Sequence, residues 1–255
     1  RSRGLGDVYK RQTYNDLQKL PVNQDFEETN KPLTLVEIKK TFDYYLNLKE
    51  IKPLLGSKKF TIEMFLPLSL INEPVDTWKY SSRYNQKRSI GIDCKVVVRS
   101  SERLDSWYRE IWKEKWNRLP LHSPAPLSDS SFVSINGDEN SLDRELKQLS
   151  KPDVIGLKLE KIPNKKKDIE KIFCEILVKN TPIVLWFRKH TTVNEQDQID
   201  KINHALNNCI YKKCIYALAD TIFNIRAGTI SECSDSDLAN HISLLWEDPY
   251  RVPPP

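Results

Sequence analysis

Thr181-Pro182-Ile183-Val184-Leu185-Trp186-Phe187-Arg188 is the stretch on which the fold turns. Five apolar residues run without interruption between a proline and an arginine. That is the pattern of a strand covered on both faces, as in the parallel sheets of α/β proteins. Working outward, Val154 to Leu159 reads as an earlier strand. Between the two, Lys167 to Lys179 reads as a helix with Ile169, Ile172, Phe173, Ile176 and Leu177 on one face, broken by Thr181-Pro182. Ser141 to Leu149 is a short helix before the pair, while Gln196 to Asn207 and Lys213 to Arg226 are helices after it. Ile242 to Trp246 is the last strand. This strand–helix alternation, clearest over residues 153–247, predicts an α/β fold: a mostly parallel sheet of about five strands flanked by helices.

The first half is less regular. Apolar residues recur at helical spacing from Leu33 to Leu55, with Thr34 as N-cap and Glu37 completing a capping box. Phe60 to Phe65 alternates like a strand, Leu66 to Ile71 reads as a short helix, and Thr77 to Arg88 as a surface connection. Ser89 to Arg99 is another strand, followed by a helix capped by Ser100 or Ser101 and running to about Leu119. That helix carries Trp107, Trp112 and Trp116. Pro120, Pro124, Pro126, a Ser/Asp cluster and Gly137 mark a flexible loop near residues 120–140. The expected organisation is a single domain over residues 33–255. Residues 1–12 resemble a translated sequencing adapter and are set aside as a non-native leader.

The 255 residues carry 40 Lys+Arg against 35 Asp+Glu, a formal net charge of +5. Arg1, Arg3, Lys10 and Arg11, set against Asp7, place most of that excess in the leader. The remaining balance argues against a nucleic-acid partner. No apolar run approaches the roughly 20 residues that a membrane span requires. Five cysteines (Cys94, Cys174, Cys209, Cys214 and Cys233) are an odd count in a chain too long to need disulfide staples, which points to a reducing, cytoplasmic setting.

In an all-parallel sheet, ligands collect beyond the carboxyl ends of the strands. That rim would hold Arg99, Glu160, Lys161, Arg188, His190, Glu247 and Asp248. Two uses are open: an ion-pair network in which Arg188 grips Asp248, or a site in which Arg99, Arg188, His190 and Asp248 bind an anion or serve a divergent hydrolase or nucleotide-binding enzyme. Catalytic patterns are otherwise sparse. Cys174 with His190 lacks a local Cys/His signature, so a core thiol and a surface histidine are the simpler reading. His241 precedes the last strand and is expected at the opposite end from His190; His122 and His204 read as solvated. No phosphate-cradling glycine loop occurs, Cys209 and Cys214 have no histidine at zinc spacing, and Lys165-Lys166-Lys167 reads as a solvated turn. No catalytic residue, metal or cofactor is therefore expected. The tryptophans, Trp186 and Trp246 among them, read as core, with a rim indole also able to anchor a protein contact.

Several segments read together: Phe65-Leu66-Pro67 with Asp76-Thr77-Trp78, Lys95 to Leu104 (KVVVRSSERL), Thr181 to Arg188, and Leu244 to Pro254 (LLWEDPYRVPP). In order and content they resemble the C-terminal domain of the vWA-MoxR-associated proteins, over roughly Leu33 to Pro255. Glu247 stands where that family's closing motif more often has Asp. The resemblance implies a bacterial, cytoplasmic conflict (antiviral defence) system, with a vWA-domain protein and a MoxR-type AAA ATPase as partners. It also implies an effector or adaptor upstream on the same chain. On that basis the domain is expected to be a non-enzymatic scaffold or signal relay. The residues expected to form its interaction or structural network are Arg99, Trp186, Arg188, Trp246, Glu247, Asp248 and Arg251.

Overall fold

The computed structural model describes residues 34–251 except 50, 57–59, 83–85, 105–111, 120–126, 136–140, 161, 164, 190–195, 213, 231–232 and 234–236. Helix α1 (Leu35–Leu46) opens with the expected capping box: the Glu37 amide donates to the Thr34 hydroxyl, and the Glu37 carboxylate accepts from the Thr34 amide. Strand β1 (Thr61–Leu66) follows, then a short antiparallel ribbon of β2 (Lys79–Ser81) and β3 (Lys87–Ser89). A single helical turn, α2 (Ile90–Asp93), leads into β4 (Lys95–Ser100). The ribbon lies where a surface connection was expected, because its polar residues carry no strand-like alternation. The continuous strand expected from Ser89 is split by α2. Beyond β4, residues 101–104 form a 3-10 turn and 112–116 are helical; Trp107 lies outside the described residues.

The second half contains β5 (Phe132–Ile135), α3 (Leu142–Leu146), β6 (Gly156–Leu159), α4 (Lys166–Val178) and β7 (Ile183–Phe187). After these come α5 (Gln196–Asn207), α6 (Leu218–Arg226) and β8 (Ile242–Trp246). Strand β5 sits within the stretch expected to be a loop, and it makes the main sheet six-stranded. Just past the end of α4 and its C-cap Lys179, Asn180 has a positive φ of 53° that supplies the left-handed turn halting the helix. The Thr181 amide then donates back to the Ile176 carbonyl.

The strand order is β1-β4-β8-β7-β6-β5. Pairings β1–β4, β4–β8, β5–β6 and β6–β7 are parallel, whereas β7–β8 is antiparallel, with Ile183 opposite Trp246 and Phe187 opposite Ile242. The fold is α/β with a mostly parallel sheet, built as two parallel trios that run in opposite directions and meet at an antiparallel seam. One face buries Met64, Val96, Val98, Leu157, Val184, Trp186 and Leu245 beneath α1, α3 and α4. The other buries Val97, Ile183, Leu185, Phe187, Leu244 and Trp246 beneath Trp116, α5 and α6. Among the described residues, no helix is long and apolar enough to cross a membrane.

Candidate functional site

The seam decides where the charged residues go. Antiparallel pairing sets the start of β8 beside the end of β7, so the Arg188 amide donates to the His241 carbonyl at 2.8 Å. At the other end of the same two strands, the Glu247 amide donates to the Pro182 carbonyl at 2.8 Å. Arg188 and Asp248 therefore lie at opposite ends of the sheet and do not pair. The single rim predicted from all-parallel strands is replaced by two separate clusters, one at each end of β8. His241, expected at the far end, instead has its backbone against Arg188. His190 and Lys161 lie outside the described residues.

The first cluster lies beyond the carboxyl ends of β1, β4 and β8. Glu247 is fully buried; its carboxylate accepts from the Ser100 amide at 2.9 Å and lies 3.5 Å from Arg103 and 4.0 Å from Arg99. Burial lifts the Glu247 carboxyl above its ordinary range, while Arg103, Arg99 and the Ser100 amide pull it back down. Arg99 donates to Glu63 at 2.8 Å and to the carbonyls of Asp248 and Arg251, and its guanidinium sits 4.8 Å from the Phe65 ring centre. Arg103 lies over the Trp112 ring and donates to the Asn180 side chain at 3.1 Å. Arg251 returns to Glu63 at 2.6 Å. The Asp248 carboxylate accepts from the Tyr250 amide at 2.9 Å and, like that of Glu247, is raised by burial. Together these bonds clamp residues 247–251 onto the sheet.

The second cluster centres on a residue not singled out for a site, Asp76, in the 3-10 turn Val75–Thr77. Arg188 grips its carboxylate with both terminal nitrogens, at 2.7 and 3.0 Å, and Arg226 of α6 approaches it at 3.3 Å. Arg188 also donates to the Ser243 hydroxyl and the Asn240 carbonyl, and Arg226 to the Ile242 carbonyl. Burial pulls the Arg226 guanidinium down, opposed by Asp76. The backbone approaches closely here. A Cβ at Gly91 would meet the Asp76 carbonyl oxygen at 2.9 Å and an Arg226 nitrogen at 3.3 Å.

Of the expected network, Arg99, Glu247, Asp248 and Arg251 come together, and Arg188 belongs to the other cluster. Trp186 and Trp246 are buried on opposite faces of the sheet. Trp186 donates to Asn72 at 2.8 Å and meets Phe173 edge-on; Trp246 meets Trp116 and Tyr216 edge-on. Glu63, Asp76, Arg103 and Arg226 were missed. Each stands in a local pattern that says only strand, turn or helix, and its partner is distant in sequence. Cys174, expected in the core, is exposed on α4. Among the described residues, no group of three or more His, Cys, Asp and Glu side chains is arranged to hold a metal ion.

Against this geometry, comparison with known families gives one result. The family model of the vWA-MoxR associated protein C-terminal domain matches residues 10–249. No curated protein and no solved structure gives a match.

Proposed function

We propose that the chain, which belongs to the family of vWA-MoxR associated protein C-terminal domains, is a non-enzymatic coupling module. In this reading it works in a bacterial conflict system, linking a vWA-domain protein and a MoxR-type ATPase to an effector. The family's name associates its members with those two proteins. The observation that carries the reading is the inward use of the charged strand ends. The side chains of Arg99, Arg188 and Glu247 are buried and spent on protein partners, so each guanidinium and carboxylate serves to lock elements together. A rigid body whose seam and closing segment are cross-braced is suited to pass a displacement from one bound partner to another. The rival reading, a hydrolase or nucleotide-binding site built from Arg99, Arg188, His190 and Asp248, draws no support from clusters at opposite ends of the sheet.

The test is a pull-down in which the full chain is bait for the vWA-domain protein and the MoxR-type ATPase, separately and together. Retention of at least one above a bead-only background is expected. Failure to retain either, alone or in combination, removes the reading.

A further inference from the structure

The main sheet ends on two edge strands, β1 and β5, and an edge strand presents backbone groups that no neighbour pairs. Strand β1 is the longer, at six residues against four. Its register on β4 fixes which of its groups turn inward. Thr61 lies opposite Lys95, whose amide donates to the Phe60 carbonyl, so residues 60, 62, 64 and 66 face β4. The Ser100 amide, turned away from β1 by the same parity, reaches Glu247 on the β8 side. Thr61, Glu63 and Phe65 therefore face outward, and among the described residues nothing bonds their N–H or C=O groups. The usual guards of an edge are missing: β1 has no proline, no lysine and no bulge. Its one charged residue, Glu63, is held on a single face of the sheet by Arg99 at 2.8 Å and Arg251 at 2.6 Å.

We propose that β1 is a dimerisation edge, pairing antiparallel with β1 of a second copy about a two-fold axis through Glu63. The occupant follows from the strand's complementarity to itself. In that register Thr61 stands opposite Phe65 of the second copy, and Glu63 opposite its own counterpart. Each of these is a hydrogen-bonded pair, so every outward N–H meets an outward C=O and none is left over. Sliding the register by two residues carries Thr61 or Phe65 past the end of the facing strand. On the face beneath α1, Ile62 comes opposite Met64, an apolar pair repeated by the symmetry. On the other face, Thr61 with Phe65 is a β-branched–aromatic pair. Two Glu63 carboxylates meet at the axis, where like charges would repel, but each brings its own Arg99 and Arg251. Such an isologous contact closes on itself and gives a dimer instead of a fibre. It is independent of the coupling role and of the vWA and ATPase partners.

The test uses the full-length chain. Sedimentation velocity up to about 100 μM should reveal a particle of twice the chain mass. Residue-resolved amide exchange should find the Thr61, Glu63 and Phe65 amides slowed at least about tenfold in the dimer relative to the diluted monomer, with those of Ile62, Met64 and Leu66 little changed. Thr61→Pro deletes an outward N–H without costing a bond to β4, and should weaken association at least about tenfold. A monomer at every concentration overturns the proposal, as does a dimer whose three outward amides exchange freely. Protection of those amides in the monomer also overturns it, since another segment of the same chain would then lie on the edge. The wild-type exchange decides the question even where Thr61→Pro folds poorly, and its outcome is separate from that of the partner pull-down.

Discussion

The two ends of β8 are braced by opposite strategies. At its carboxyl end, Arg99, Arg103 and Arg251 are shared among Glu63, Glu247 and several carbonyls, so each of the two carboxylates has more than one partner. At its amino end, two buried guanidiniums converge on the single carboxylate of Asp76. Redundant bracing tolerates the loss of a member; convergent bracing does not. Removing one partner of a buried pair leaves an uncompensated charge, and that residual charge dominates the cost.

The sharpest way to break this contrast is Asp76→Asn. It leaves Arg188 and Arg226 buried with no carboxylate, and a loss of about 3–5 kcal/mol is expected in urea unfolding. A loss below about 1 kcal/mol would mean that the carbonyls of Asn240 and Ile242 suffice, and the two ends would then be alike. Gly91→Ala probes the same end by volume. The added carbon must displace the Asp76 backbone or Arg226, for an expected cost of about 1–3 kcal/mol in the same assay.

Glu247→Gln should have the smallest effect, under about 1 kcal/mol near neutral pH, because the amide can still accept from Ser100 and both arginines keep other partners. It should also change the pH profile. The folded-state pKa of Glu247 is raised, so the native protein holds this proton more tightly than the unfolded chain does. Its contribution is therefore greatest at low pH and is lost as pH climbs from about 4.5 through the raised value. The difference in stability between parent and variant, followed by thermal unfolding from pH 4 to 8, should shift in the variant's favour as pH rises. A shift the other way would show that ion pairing outweighs burial at Glu247.

The sequence made strands legible wherever burial on both faces left an apolar run, as on the two sides of the seam at Ile183–Phe187 and Ile242–Trp246. Their relative direction was not legible. One helix between two strands returns the chain for a parallel neighbour, as α4 does between β6 and β7. The connection from β7 to β8 holds two packed helices, α5 and α6, and the second reverses the chain once more. Local periodicity identifies both helices but does not fix the parity of the return. The expected Arg188–Asp248 pair rested on that parity. Strand β5 escaped because four residues among prolines, serines and aspartates give too short a pattern to outweigh their flanks. Arg99 and Glu247 could be singled out as strand-end charges, whereas Asp76 sits in a turn whose sequence carries no sign of the two arginines that reach it.

Because residues 247–251 are fastened to β1 and β4 rather than hanging from β8, traction applied beyond Arg251 would not peel the sheet apart strand by strand. It would meet the Arg99 clasp first and then pull β8 lengthwise between β4 and β7, where the ladders on both flanks resist in shear. The middle of the sheet would bear the tension as a tie-rod, and the domain would yield late and all at once.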